Sequence, residues 1–307
     1  MSIKEKTTND DTQRGLYHKF NVNRTDGKDA PGGTHEGDEY FVLNLTKDKY
    51  ALRALRVYAT ACQVEYPALA ADLFAKCRIG QIDEFVTVPE TTLPNGLVVP
   101  SFQVGKYLSC KDEDGKLTIN PTDTPWTEIN YHDARAAAAD AGYKLITETQ
   151  ALALAYNIAT QDANWTGGKV GEGKLFQGLR EGDCDEAQPG EFVPDNQDER
   201  RMFMLSNGEF ICDAAGNAFS WVFDDVQGDE NGIIARPFTA DSPSVSTSPY
   251  GSMEKGAGWQ PSKTSDWSGR ALIRGGCWDS YGDVGVFRLV YGWPIGVRGD
   301  IGFRCTK

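Results

Sequence analysis

Residues 273–307 read IRGGCWDSYGDVGVFRLVYGWPIGVRGDIGFRCTK. The two ends of this stretch are built to be stiff. Gly275 and Gly276 permit close backbone approach or positive φ. Trp278, with Trp221 upstream, supplies large area to bury where regular elements are few. Arg274 and Arg304 can tie loops down through charge-assisted bonds to carbonyls or carboxylates, and Gly302 allows close packing between them. The middle is different. Between Gly275 and Cys305 there is no Asn, Lys, Glu, Gln or Met, while Arg, Asp, Tyr and Val recur.

A strand period can be laid on VGVFRLVYGW. It puts Val286, Arg288 and Val290 on one side and Phe287, Leu289 and Tyr291 on the other. With Phe287 and Leu289 toward the core, Arg288 and Val290 are expected to point outward. The loop positions Asp279, Ser280, Tyr281, Asp283, Trp293, Ile295, Arg298 and Asp300 join them, and Cys277 and Tyr291 complete the candidate ligand-contact set. Rigid aromatic anchors, arginine and small polar residues are the chemistry of a general recognition surface.

Upstream, the texture changes several times. Residues 1–16 are polar and read as a flexible tail. Residues 17–87 read as a small α/β unit of its own. In it EYFVLNL (Glu39–Leu45) is a strand candidate. Thr46 is a cap for a helix beginning near Lys47, and Leu52, Leu55, Tyr58, Ala59 and Cys62 share one helical face. Pro67 opens a second helix. From residue 88 to 307 short strands are punctuated by Pro and Asn-Gly. Two helices interrupt them. The first is capped by Asn130 and ended by Gly142. The second is capped by Thr147, with Gln150 as its capping-box partner. Residues 164–200 and 238–263 read as long loops.

The totals exclude several functions. A net charge of −13 over 307 residues opposes nucleic-acid binding, which needs Lys and Arg at phosphates. No apolar run reaches the roughly 20 residues of a membrane span. The N-terminal segment lacks an apolar signal core, so synthesis in the cytoplasm is expected. Seven cysteines are widely spaced without a C-x-x-C pair, and His18, His35 and His132 lie near none of them in sequence, so zinc is not expected. They read as reduced thiols. No nucleophile elbow, Walker loop or HExxH is present.

Five landmarks in order carry a resemblance over about residues 97–305. They are VPSFQVGKY (Val99 to Tyr107 at its core), the helix pair TPWTEINYHDARAAAADAGYKLITETQALALAYNIA, DAAGNAFSWVFD (Asp213–Asp224), LIRGGCW (Leu272–Trp278) and IGFR (Ile301–Arg304). The segment resembles the sulfatase-modifying-factor, or formylglycine-generating-enzyme-like, branch of the C-type lectin fold. That resemblance implies an α+β domain of short strands, two helices and long loops. It also assigns Trp221, Arg274, Gly275, Gly276, Trp278, Gly302 and Arg304 to the scaffold.

Two activities are known in the wider fold. The copper-dependent oxidase places two cysteines a few residues apart after its GGS landmark. Here Cys277 stands alone until Cys305, and a soft-metal dithiolate needs both thiolates together. The chain therefore does not read as an enzyme. The segment is also similar to the variable proteins of diversity-generating retroelements, whose C-terminal lectin-type domain ends in GFR. There, substitution at template adenines can turn Asn codons into Asp, Ser, Tyr, Gly, Val, Arg, Ile, Cys or Pro, but not Lys, Glu, Gln, Met or Trp. In this reading residues 277–300 vary, while Trp278 and Trp293 are set by the template. The resemblance implies recognition of a protein or other macromolecular ligand, phage or prophage coding, and association with a virion. Residues 17–87 would serve attachment or oligomerisation. No cofactor is expected, though the acidic runs EGDCDE and DDVQGDE have oxygen donors enough to admit a structural calcium.

Overall fold

The computed structural model describes residues 19–48, 50–62, 65–78, 83–112 and 114–307. The tail expected over 1–16 lies outside them. The chain divides into two units, Met1–Gln81 and Ile82–Lys307.

In the first unit two helices, α1 (Ala51–Cys62) and α2 (Pro67–Arg78), pack against each other. Ala51, Ala59 and Ala70 are buried, Leu52, Leu55 and Cys62 are half-buried, and Tyr58 is exposed. The strand expected over 39–45 is irregular chain, with Tyr40, Phe41 and Val42 exposed. Strand preference reflects packing beside a neighbour, and no strand occurs among the described residues of this unit. The helix also starts later than expected. Asn44 Oδ1 accepts from the Thr46 and Lys47 backbone N–H groups in a turn, and Asp48 then receives Tyr50 N–H at its side chain and Ala51 N–H at its carbonyl.

The second unit holds β1 (Phe85–Val88), β2 (Thr91–Thr92), β3 (Val98–Val99), β4 (Phe102–Gly105), β5 (Cys110–Lys111), β6 (Leu117–Thr118), α3 (Tyr131–Asp140), β7 (Lys144–Leu145) and α4 (Glu148–Ala159). After a long loop come β8 (Met202–Met204), β9 (Phe210–Cys212), β10 (Phe219–Val222), a short helix α5 (Pro243–Ser246), β11 (Ala271–Arg274), β12 (Leu289–Gly292), β13 (Ile301–Phe303) and β14 (Cys305–Thr306). β1 pairs with β4, so the unit reaches several residues upstream of position 88.

Both helix starts follow from local chemistry. Asn130 Oδ1 accepts from Asp133 N–H, 3.0 Å. Thr147 and Gln150 form a reciprocal capping box, with N···O distances of 3.2 and 3.0 Å. Gly142 sits at φ 79°, where the chain leaves α3.

Two four-stranded sheets organise the core. One has the order β1–β4–β14–β7, so the C-terminal strand returns beside the first strands of the unit. The other has the order β12–β11–β10–β13, with β10 and β13 parallel and the other pairs antiparallel. Trp221 is fully buried, and its indole N–H donates to the Ile129 carbonyl, 2.9 Å. Arg304, also buried, donates to the carbonyls of Gly105, Cys212 and Asp213 at 2.5–2.9 Å. One side chain thereby satisfies three backbone carbonyls and ties the end of β4 to the end of β9. The loop of 164–200 contains no strand. Asn164, which matches a glycosylation pattern, is wholly buried and bonded to the Ile158 and Met204 backbone, so it offers no acceptor nitrogen at the surface. No helix among the described residues is long and apolar enough to cross a membrane.

Candidate functional surface

The surface begins where β11 ends. Arg274 lies in β11 with its guanidinium buried against Glu148 of α4. Gly275 and Gly276 follow at φ 96° and 115°, in the region closed to most side chains. A Cβ on Gly276 would stand 2.7 Å from Val284 Cγ2, so this turn admits only glycine without rearrangement. Trp278 is half-buried, and its backbone N–H donates to the Asn217 carbonyl, 3.1 Å. Gly302 faces Ser220 in the β10–β13 ladder.

From this frame the chain makes a loop with a helical turn at Tyr281–Asp283. Asp279 and Tyr281 are exposed, and Ser280 and Asp283 are half-buried. Cys277 is buried, in contrast to a surface position. Its Sγ contacts Ser280 Oγ at 2.8 Å and Asp279 Oδ1 at 3.1 Å. Burial pushes the thiol up to about 12, with Asp279 and Asp300 adding to the shift against the opposing hydrogen bond from Ser280.

Arg288 does not point outward as the strand period predicts. It is 9% exposed, with its guanidinium 4.8 Å from the centre of the Phe219 ring and 3.7 Å from Asp283 Oδ2. The reason is that β12 starts only at Leu289. Residues 284–288 follow the Ala257–Gly258 segment instead: Phe287 N–H donates to Ala257 O, and Gly285 has its Cα where a Cβ would stand 2.3 Å from Ala257 C. Val284, Val286 and Phe287 are all buried, so no alternation exists there.

Alternation appears only from Val290 onward, and it runs past the end of the strand. Val290 is half-buried, Tyr291 is 44% exposed, Trp293 61%, Ile295 77% and Val297 57%. Gly292, Pro294 and Gly296 between them are half-buried. Gly292 rests on Trp221: a Cβ there would stand 2.5 Å from the indole. Arg298 is exposed and forms a two-point ion pair with half-buried Asp300, at 2.7 and 2.5 Å. The candidate residues thus separate into an exposed apolar rim (Tyr291, Trp293, Ile295), a polar loop (Asp279, Ser280, Tyr281, Asp283), an ion pair (Arg298 and Asp300), two buried members (Cys277 and Arg288) and Val290, which is half-buried against the core while its neighbour Tyr291 is the one turned outward.

Sequence reasoning missed four contributors. Val297 continues the rim. Arg270 lies over the Trp293 ring, 2.9 Å from its centre, and 5.5 Å from that of Tyr291. Trp267 meets Tyr291 at 4.9 Å and stacks on Trp259 at 6.5 Å. The available signal was two tryptophans inside a loop otherwise rich in Ser, Pro and Gly.

The acidic runs show local uses for their oxygens. Asp183 accepts from Asn196 N–H, Asp224 from Val226 and Gln227, and Asp229 from Asn231 and Ile233. No group of three or more His, Cys, Asp or Glu suited to a metal occurs among the described residues.

The frame and its exposed face define a class: an α+β domain of short strands, helices and long loops, with the sequence landmarks at its structural joints. No family model matches the sequence, and no curated protein does. Solved structures that the chain matches include Treponema denticola variable protein 1, 13% identical over 73% of this chain and 93% of that one, TM-score 0.36. The I1 variant of Major Tropism Determinant is 14% identical over 67% of this chain and 50% of that one, TM-score 0.34. PvdO from Pseudomonas aeruginosa is 16% identical over 72% and 91%, TM-score 0.35.

Proposed function

We propose that the protein recognises a macromolecular ligand through the exposed face of residues 277–300, that this face is diversified by a retroelement, and that the protein acts without catalysis. The observation that carries the reading is the run 290–298. Exposed Tyr291, Trp293, Ile295 and Val297 alternate with half-buried Gly292, Pro294 and Gly296, above a fully buried Trp221. Side chains that emerge from so firm a base can be exchanged at little cost to the fold. Tyr and Trp there supply large contact area with few rotors to freeze.

Thiol chemistry is disfavoured by the same geometry. Cys277 is buried with its thiol pushed up to about 12, and the next cysteine, Cys305, lies in β14 of the other sheet beside Ser109 Oγ, 3.3 Å. Phage or prophage coding and carriage on a virion belong to the same proposal, with residues 17–87 as the attachment or oligomerisation unit.

The genetic test is the DNA flanking the gene. A reverse-transcriptase gene and a near-copy of the 3′ end that differs at adenines are expected; without that near-copy the diversified reading fails. The enzymatic alternative has its own test. Stoichiometric copper(I) binding with turnover of a cysteine peptide would displace the recognition reading.

A further inference from the structure

Arg270 lies outside the 277–300 segment, yet its side chain is at the centre of the exposed rim. Its backbone is held on both sides: its N–H donates to the Trp267 carbonyl at 3.0 Å, and its carbonyl accepts from Ile234 N–H at 2.9 Å. In the β11–β12 ladder Ala271 faces Gly292 and Leu272 faces Tyr291. Continuing that register by one step brings Arg270 opposite Trp293, which is why the guanidinium covers the indole. The Tyr291 ring centre is 5.5 Å from the same guanidinium, and Trp267, Trp259 and Phe238 extend the aromatic base beyond Tyr291.

The charge is the informative feature. The other two arginines of the face have carboxylates: Arg298 has Asp300 and Arg288 has Asp283. Among the described residues no carboxylate lies within ion-pair distance of Arg270. This is a chain with 44 Asp and Glu against 31 Lys and Arg. Ring faces accommodate the cation but accept none of its five N–H donors in fork geometry. A guanidinium held over the Trp293 ring and near that of Tyr291, with its fork unused, is prepared for a carboxylate that arrives from outside. The apolar rim beside it requires that this carboxylate be flanked by apolar side chains. A polyphosphate chain is disfavoured by the net charge of −13 and by Asp279 and Asp283 on the neighbouring loop.

We infer that Arg270 and Trp293 form a constant anchor within the varying face, and that it captures an Asp or Glu side chain flanked by apolar residues on a protein ligand. The inference rests on the proposed recognition function. It adds that one half of the anchor lies upstream of the varying segment, while the other, a tryptophan, is a residue that adenine substitution of an Asn codon does not create. All variants of the face would then share a requirement for a carboxylate and differ in what surrounds it.

The test uses the full chain and a displayed library of random linear peptides as the probe. The wild type should enrich peptides with an Asp or Glu next to apolar residues. Changing that acid to its amide in a selected peptide should weaken binding about ten- to hundred-fold, the range for losing a hydrogen-bonded charge. Arg270→Gln should abolish the preference for the acid, and Arg270→Lys should keep it with weaker binding, because an ammonium lacks the fork. Arg270→Glu should select basic peptides instead. Unfolding midpoints of the variants establish that each is folded. Enriched peptides without acids, or an acid preference that survives Arg270→Gln, would overturn the inference and leave the recognition face standing. Peptides that bind equally well after Tyr291→Ala, Trp293→Ala and Ile295→Ala combined would overturn the recognition reading itself. No enrichment by the wild type would overturn both.

Discussion

Arg274 in β11 and Glu148 in the first turn of α4 form a buried two-point ion pair, Nε to Oε2 at 2.7 Å and Nη2 to Oε1 at 2.5 Å. The pair joins residues 126 positions apart and locks the sheet that presents the candidate surface to the helix pair. Arg274 Nη1 also reaches the Phe287 carbonyl, 3.3 Å, at the base of the exposed run. Removing one partner leaves the other charge buried without compensation, at a cost of about 3–5 kcal/mol. Glu148→Gln or Arg274→Met should each lower the unfolding free energy by about that amount in urea titrations. The double variant Glu148→Gln with Arg274→Met should lose less than the sum of the two single losses, and the double-mutant cycle reads the difference.

The contrast between base and rim predicts a sharp change of tolerance along the six residues 292–297. Gly292→Val places a side chain into the Trp221 indole, where a Cβ alone would stand 2.5 Å away. Such overpacking costs about 1–3 kcal/mol. Ile295→Ser and Val297→Ser, at exposed positions, should change stability by no more than about 0.5 kcal/mol. Thermal unfolding of the three variants side by side checks the contrast.

Asp224 carries a pH dependence with a defined sign. Burial, and then the nearby Glu148 charge, push its carboxyl up to about 6. The folded state therefore holds more protons than the unfolded state between the ordinary value near 3.8 and about 6. Stability from this group is highest below that window and falls as pH rises through it. Asp224→Asn keeps an acceptor for the Val226 and Gln227 N–H groups and removes the titration. The stability of Asp224→Asn relative to wild type should therefore rise by about 1–3 kcal/mol between about pH 4 and about pH 7, read from urea midpoints.

The buried thiols should be inert in the folded protein. Burial pushes Cys110, Cys277 and Cys305 each up to about 12. An accessible cysteine titrates near 8.5 and reacts as its thiolate. Iodoacetamide at about pH 8 should leave these three unmodified until urea unfolds the chain, with mass spectrometry of peptides as the readout. Rapid labelling of Cys277 in the folded state would show that the 277–283 loop opens.

Legibility in the sequence followed the range of the interactions. The caps at Asn130 and at Thr147 with Gln150 lie within three residues of the groups they satisfy, and they form as read. The same local reasoning failed at Glu39–Leu45, where a strand-like composition has no neighbour to pair with among the described residues of its unit. It failed again at Arg288. A period of two assumes a strand, but residues 284–288 pack on Ala257 and Gly258, some thirty positions upstream, and are buried on every side.

By itself the sequence determined the frame: the glycines after β11, the arginines on either side, the buried tryptophan and the helix starts. Each depends on backbone conformations or short-range bonds that a residue type imposes wherever the chain runs. Which members of 277–300 emerge, and what meets them, was decided only in the tertiary structure. Cys277 and Arg288 are taken inward, Val297 is turned out, and Arg270 is brought over Trp293 across the β11–β12 ladder. Exposure and cross-strand contact are properties of long-range packing, and neighbouring letters in a sequence carry no information about a partner two dozen residues away.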